Sequence, residues 1–179
     1  MNNNVLVIHP DDGSVGYDIY QYLYDGLGYD IISDASISDS ELRASIAEHE
    51  TIIIIGCFTN EGMVVFSKTE HNSFYFINDS HIALLQNKRI ISIGGRRFFE
   101  RHKVSGLHID SVLTSTFEAM LYDIDASEDE IRDSAQRLMS IIREVISIKD
   151  PREMRTKILE EYTGNAQATL FNRKSIIAL

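Results

Sequence analysis

The stretch Thr51-Ile52-Ile53-Ile54-Ile55-Gly56-Cys57-Phe58 (TIIIIGCF) decides the fold that the sequence predicts. Four consecutive isoleucines place apolar side chains on both faces of a strand, as in a central parallel strand that is covered on both sides. Gly56 follows the last isoleucine and is expected to end the strand. The stretch therefore predicts a buried core strand over residues 51–55, with Cys57 just beyond its carboxyl end.

Strand-like and helix-like segments alternate along the rest of the chain. Further strands are predicted over Val5 to Ile8, Tyr29 to Ile32 and Arg89 to Ile93, with an edge strand at the C-terminus. Helices are predicted over Tyr17 to Leu27, Ser38 to Ala47, Asp79 to Gln86 and Pro151 to Tyr162, and two more are expected to begin at Ser115 and Ser127. The charged stretch RRFFERHK (96–103) is followed by an expected loop that reaches Ser115. This alternation predicts one α/β domain over residues 1–179, a three-layer α/β/α sandwich around a mostly parallel sheet.

Two further β-like segments lie between the third and fourth predicted core strands. They cover Met63 to Phe66 and Ser73 to Ile77, and the polar stretch SKTEHN separates them. Two short strands joined by a polar turn are typical of a β-hairpin. The sequence therefore predicts a small hairpin excursion where a direct crossover helix would otherwise lie.

The composition excludes several classes of partner. Lys+Arg 17 against Asp+Glu 27 gives a formal net charge of −10, which repels nucleic acid and anionic lipid. We therefore expect no nucleic-acid partner and no membrane association. Cys57 is the only cysteine, which excludes an internal disulfide and fits a reducing compartment. The N-terminus lacks the features of a signal peptide, so a cytoplasmic location is expected.

The first loop, His9-Pro10-Asp11-Asp12, resembles the opening of the zinc-dependent sugar deacetylases. The resemblance implies a metal held by His9 and Asp12, with Asp11 as the base and a further histidine in the shell. Gly13, however, stands where that family has glutamate, and the other histidines are expected on scattered helices and loops. We therefore predict no metal and no cofactor, and a turn whose two carboxylates cap the next helix.

The predicted site lies at the carboxyl ends of the two central strands, where α/β proteins bind their ligands. Those ends read IIIIGCF and IISIGG, and a hairpin and a helix lie between them. This order of elements resembles the caspase-like cysteine peptidase fold, which includes bacterial CHAT-type proteins. The resemblance also rests on the first loop, on Ser115 to Ala119 and on an expected C-terminal strand at Phe171-Asn172. In that family, the strand before the hairpin ends in His-Gly and the next core strand ends in the nucleophilic cysteine.

This chain departs from the caspase-like pattern at both catalytic positions. Cys57-Phe58 stands where the family has His-Gly, and Gly95 stands where it has cysteine, or Gly94 if the register shifts by one. A thiol cannot replace an imidazole as the proton donor to an amine, and glycine carries no nucleophile. The resemblance therefore implies a degenerate dyad at Cys57 and Gly95, with the aromatic ring of Phe58 partly filling the cleft. Any remaining activity would be that of a cysteine peptidase, although a cysteine after four isoleucines is more often buried and inert.

A basic cluster follows the second of these strands. Arg96 and Arg97 are expected at the mouth of the cleft, where they could bind a carboxylate, a phosphate or an acidic partner. A solvated loop or helix face is the alternative for these arginines. Together with His9, Asp12 and Phe58, they are the candidate lining residues of a crevice centred on Cys57 and Gly95.

These features favour a catalytically inactive, caspase-like protein that binds a peptide or a partner protein. The resemblance is compatible with a homo-oligomer and with a bacterial or phage defence or regulatory system. A small-molecule or signalling-nucleotide binding domain of flavodoxin-like or TIR-like type is the alternative function. A zinc hydrolase built on His9 and Asp12 is a weaker third hypothesis.

Overall fold

The computed structural model describes residues 4–11, 13, 16–66 and 72–179, and its strands form two sheets. In chain order the strands are β1 (Val5–Ile8), β2 (Asp30–Ile32), β3 (Thr51–Ile55), β4 (Cys57–Phe58), β5 (Gly62–Phe66), β6 (Ser73–Asn78), β7 (Arg89–Ile93), β8 (Gly106–Ile109) and β9 (Ile176–Ala178). The central six-stranded sheet has the order β2-β1-β3-β7-β8-β9, and the smaller three-stranded sheet has the order β4-β5-β6. All neighbours in the central sheet are parallel except β8 and β9, so β9 forms an antiparallel edge.

The helices connect these strands, and polar side chains cap the first turn of several of them. They are α1 (Tyr17–Gln21), α2 (Asp39–Glu48), α3 (Ile82–Leu85), α4 (Arg96–Arg101), α5 (Thr116–Leu121), α6 (Glu128–Val145), α7 (Pro151–Glu161) and α8 (Gln167–Lys174), and a 3₁₀ turn (Asp79–His81) precedes α3. The hydroxyls of Ser38, Ser115 and Ser127 each accept a hydrogen bond from a backbone N–H of the first turn. This confirms the predicted caps of α2, α5 and α6. Within the described residues, no helix combines the length and apolar composition that crossing a bilayer requires.

Alternate side chains of the central sheet enter two separate cores. Ile53 and Ile55 pack with apolar residues of α1, α6 and α7, whereas Ile52 and Ile54 pack with those of α2, α3 and α4. None of these four isoleucines is more than 1% exposed. The period of two along a strand explains the division, because successive side chains point to opposite faces of the sheet. The prediction of a mostly parallel sheet covered by helices on both faces is confirmed.

The hairpin excursion is confirmed and is larger than predicted. β5 and β6 form the antiparallel pair, and β4 adds a third strand through the pairing of Cys57 with Val64 and of Phe58 with Met63. Most of the predicted turn, residues 67–71, lies outside the described residues. The chain therefore leaves the central sheet directly after β3 and enters the smaller sheet at Cys57.

The expected loop before Ser115 contains a buried strand, β8, which the sequence analysis missed. Its short sequence GLHI carries a histidine, a residue that does not usually mark a core strand. His108 is 0% exposed, and its Nδ1 lies 2.8 Å from Oγ of Ser92 while its Nε2 lies 3.2 Å from the Val104 carbonyl. Because both ring nitrogens find partners, the histidine can occupy the core. The expectation that the histidines lie on helices and loops is wrong for His108.

Two other segments differ from the sequence predictions. α1 ends at Gln21, not at Leu27, and the turns that follow include Gly26 at φ 73°, a conformation that no right-handed helix contains. Phe171-Asn172 lies inside α8 and is not a strand, because the side chain of Asn172 is buried against neighbouring helices. The predicted edge strand forms a few residues later, as β9.

Candidate binding cleft

A cleft of about 1010 Å³ lies at the carboxyl ends of the central strands. β3 and β7 are adjacent and parallel, with Ile55 opposite Ile93, and the Gly56 N–H donates to the Ile93 carbonyl at 3.2 Å. The residues that follow these strand ends, Cys57 and Gly95, both line the cleft. Of the seven candidate site residues, His9, Cys57, Phe58, Gly95, Arg96 and Arg97 line this cleft, and Asp12 lies outside the described residues.

His9 forms part of the cleft wall and is held by tyrosines. It is 3% exposed, its ring stacks on Tyr17 with centroids 4.2 Å apart, and its Nδ1 lies 2.9 Å from the Tyr24 hydroxyl. Tyr20 and Tyr24 present their rings at nearly right angles to it, at centroid distances of 5.7 and 5.9 Å. Such packing fixes the orientation of the imidazole. Among the described residues, no group of three or more His, Cys, Asp or Glu side chains is arranged to hold a metal ion.

The carboxylate of Asp11 stabilises the first loop. It accepts a hydrogen bond from the backbone N–H of Gly13 at 3.1 Å, which is the local turn that the sequence predicts. The N-cap position of α1 is Gly16, which has no side chain to cap the helix. The expected capping of the next helix by Asp11 and Asp12 stays a prediction, and Asp12 lies outside the described residues.

Cys57 is exposed, which corrects the expectation of a buried thiol. The isoleucines before it belong to the central sheet, but Cys57 belongs to the smaller sheet, because the chain changes sheets at Gly56. The apolar run therefore says nothing about the burial of the residue that follows it. Cys57 thus provides a thiol that is accessible from the cleft.

Phe58 and Gly95, two positions at which the chain departs from the caspase-like pattern, are in direct contact. A Cβ atom added at Gly95 would lie 2.8 to 2.9 Å from three carbons of the Phe58 ring. The ring also packs against Phe98 and Phe99, at centroid distances of 5.7 and 5.5 Å. Gly95 has φ 78°, which further disfavours any side chain there. The Phe58 ring therefore covers Gly95 in the wall of the cleft.

The two candidate arginines differ in their surroundings. Arg96 is half-buried, and its Nε donates to Oε1 of Glu100 one turn later in α4, at 2.8 Å. Arg97 is exposed, and no described residue forms an ion pair with it within 4 Å. Arg101 and the following His102 both contact Asp79. Arg97 is therefore the cation best placed to meet an anionic group in the cleft.

α5 and the residue after it also line the cleft, and the sequence analysis did not assign them to the site. Phe117, Leu121 and the following Tyr122 line the cleft while remaining 63%, 65% and 53% exposed. Glu118 accepts hydrogen bonds from the backbone N–H and the hydroxyl of Thr114, at 2.7 and 2.9 Å. The Glu118 side chain therefore holds Thr114, the residue before the N-cap Ser115. The i, i+4 pair Phe117 and Leu121 was the sequence signal for an apolar wall.

Tyr20 lines the cleft, and its hydroxyl interacts electrostatically with Glu118 and Cys57. Burial raises the pKa of the Tyr20 hydroxyl well above its ordinary value, and negative charge on Glu118 and Cys57 raises it further. The phenol therefore remains protonated at neutral pH and can donate a hydrogen bond. It cannot act as a base there.

The fold and this cleft define an α/β protein with a mixed six-stranded sheet and a ligand-sized cleft at the strand ends. Comparison with models of known protein families gave no match to this chain, and neither did comparison with curated proteins.

Proposed function

We propose that this protein is a catalytically inactive relative of the caspase-like peptidases that binds a peptide, or a segment of a partner protein, in the cleft. The observation that carries the proposal is the contact between the Phe58 ring and Gly95. A peptidase of this type needs an imidazole at the end of one strand and a thiol at the end of the next. Here the second position has no side chain, and an aromatic ring fills the space that a side chain would need.

The arrangement of elements supports the resemblance. The hairpin leaves the central sheet between β3 and β7, and these two strands are neighbours whose carboxyl ends meet at the cleft. The resemblance requires this juxtaposition of Cys57 and Gly95. An alignment that placed the two residues on distant strands would have been incompatible with the proposal.

The lining of the cleft supports a peptide as the ligand. Its volume is at the upper end of the range of roughly 300 to 1,000 Å³ for small-molecule pockets. Exposed apolar side chains on one wall, such as Phe117 and Leu121, can bury apolar side chains of a ligand. Arg97 on the other wall can bind a carboxylate. A mixed apolar and polar lining of this size matches an extended peptide segment.

Labelling of the chain's only cysteine tests the absence of catalysis. We expect Cys57 to react with peptidyl acyloxymethyl ketones no faster than a thiol in an unfolded peptide does, because Cys57 stands where the caspase-like pattern has its histidine and Gly95 stands where it has its nucleophile. Reaction rates with iodoacetamide provide the reference, and Cys57→Ser should remove the label. Saturable, accelerated labelling of Cys57 by the peptidyl reagents would show an active peptidase and refute the proposal.

The same thiol reports whether a peptide occupies the cleft. A bound peptide should slow alkylation of Cys57 by iodoacetamide, since Cys57 lines the cleft. If instead no peptide from a random library slows alkylation, and nucleotides raise the melting temperature in a manner that Arg97→Ala abolishes, the nucleotide-binding alternative is correct.

A further inference from the structure

Four large apolar side chains project from α5 and the residue after it. Phe117, Met120, Leu121 and Tyr122 are 63%, 68%, 65% and 53% exposed, and we call this group the α5 face. Scattered exposed apolar residues are common on proteins, but a contiguous group of this size marks an interaction surface. Phe117, Leu121 and Tyr122 also line the cleft, so the α5 face continues the cleft outward.

The helix that carries this face is firmly attached to the body of the protein. Ala119, on its inner side, is 2% exposed and packs in a small core with Leu113, Ile131 and Ala168. Asp123 ends the helix in the left-handed region at φ 55°, and the Ile124 N–H donates to the Ala119 carbonyl at 2.8 Å. The outward orientation of the apolar side chains is therefore set by the fold.

The chain segment that carries the α5 face is acidic. Between Lys103 and Arg132 the sequence contains no lysine or arginine, whereas it contains Asp110, Glu118, Asp123, Asp125, Glu128, Asp129 and Glu130. Asp123, Asp125 and Asp129 are exposed, and none of them has an ion-pair partner within 4 Å among the residues that the structure describes. An apolar surface with this border favours a partner that carries positive charge beside its apolar side chains.

The same charges disfavour other occupants. A second copy of this chain, which has a net charge of −10, would bring an identical acidic border against the first. Anionic lipid and nucleic acid would be repelled for the same reason.

We propose that the α5 face is the docking surface for a segment of a partner protein in which apolar side chains are flanked by lysine or arginine. The proposal rests on the proposed binding function and specifies its partner. The apolar side chains of the segment pack on Phe117 and Leu121, while its cationic residues face Asp123 and Asp125. A segment bound in this way extends into the cleft toward Cys57.

Selection from a random displayed peptide library tests this proposal. Peptides are selected on the full chain alone, and their affinity is then measured for the full chain and for the double variant Phe117→Ser/Leu121→Ser. We expect the enriched peptides to combine apolar residues with adjacent lysine or arginine, and their affinity to fall roughly tenfold or more in the double variant. Phe74→Ser/Tyr75→Ser, at exposed aromatic residues of the hairpin, is the matched control and should leave affinity unchanged.

Charge variants separate the acidic border from general electrostatics. Asp123→Asn/Asp125→Asn should weaken binding of the enriched peptides and make it less sensitive to salt. Glu160→Gln/Glu161→Gln removes the same charge from an exposed part of α7 and should have little effect. Equal effects of the two pairs would contradict a role for this particular border.

The outcomes distinguish failure of the docking surface from failure of the proposed function. One outcome is that peptides slow alkylation of Cys57 yet bind the Phe117→Ser/Leu121→Ser variant as tightly as the wild type. That result would refute the docking proposal and leave the binding cleft standing, and so would the enrichment of acidic peptides. Enrichment of no peptide would refute both. Sedimentation of the wild-type chain as a dimer that the double variant converts to a monomer would identify a second copy as the occupant and overturn the docking proposal.

Discussion

Gly95 is held at φ 78° beneath the ring of Phe58, and each of these constraints by itself disfavours a side chain. We expect Gly95→Ala to lower the free energy of unfolding by about 3 kcal/mol, from left-handed strain together with the steric conflict. In a Phe58→Ala background, Gly95→Ala should lower the free energy of unfolding by only about 1 kcal/mol, because only the left-handed strain remains. Urea unfolding of the four proteins in this cycle measures the coupling.

A second glycine provides the control for this cycle. Gly28 has φ 67°, and an added Cβ there would meet nothing within 4 Å. Gly28→Ala should therefore lower the free energy of unfolding by about 1 kcal/mol, from left-handed strain alone, whether or not Phe58 is present. Equal costs of Gly95→Ala in the presence and absence of the ring would contradict the proposed contact.

His108 makes stability depend on pH. The Val104 carbonyl can only accept, so Nε2 of His108 carries the proton, and Nδ1 accepts from the Ser92 hydroxyl in the neutral ring. Burial lowers the pKa of His108 to about 4, from 6.5 in the unfolded chain. As pH falls below 6.5 the unfolded state takes up the proton first, so stability declines. By pH 4, this difference in proton uptake lowers the free energy of unfolding by about 3 kcal/mol.

The comparison between wild type and His108→Gln isolates this contribution. Glutamine retains one donor and one acceptor but does not titrate, so the free energy of unfolding should depend less on pH between 6.5 and 4. Urea unfolding at several pH values measures it. Parallel pH profiles of the two proteins would show that His108 is not the titrating group.

At the scale of elements, Asn172 connects α8 to the rest of the protein. Its Oδ1 accepts from the Leu113 N–H at 2.9 Å, and its Nδ2 donates to the Tyr162 hydroxyl and to Oγ of Ser134, at 3.1 and 3.3 Å. Asn172 is 0% exposed, so water cannot replace these bonds in the absence of the amide. This network links α6, α7 and α8 and positions the chain segment that leads to α5.

We expect Asn172→Leu to lower the free energy of unfolding by about 3 kcal/mol, because buried polar groups would lose their partners. Chemical denaturation provides the measurement. Lys174→Ala, at an exposed position of the same helix, should change stability by less than about 0.5 kcal/mol. A similarly small change for Asn172→Leu would show that the network contributes little to the stability of α8.

Elements with strong local signals were predicted well, and elements without them were not. Helical spacing in the sequence places five apolar residues on one face of α6, and all five are buried: Ile131, Ala135, Leu138, Ile142 and Val145. β8 was missed, because a four-residue strand containing a histidine has no such periodicity. His108 can be buried because the neighbouring strand and helix supply Ser92, which hydrogen-bonds its ring, and Phe99, which stacks on it.

At the scale of the whole molecule, the position of the site followed from topology. Parallel strands bring their carboxyl ends to one edge of the sheet, so the order of the elements predicts that Cys57 and Gly95 line one cleft. The exposure of Cys57, the contact of Phe58 with Gly95 and the apolar wall of α5 were not predictable in the same way. Each depends on segments that are distant in sequence.

The sequence by itself determined the α/β class, the central strand β3, the hairpin excursion and the capped starts of α2, α5 and α6. These features arise from short-range patterns of apolar and capping residues. Only the tertiary structure decided that Cys57 is exposed, that a ring covers Gly95 and that the α5 face is exposed beside an acidic border. The physical reason is that burial and side-chain contact depend on which elements pack against one another, and no local pattern in the chain specifies that packing.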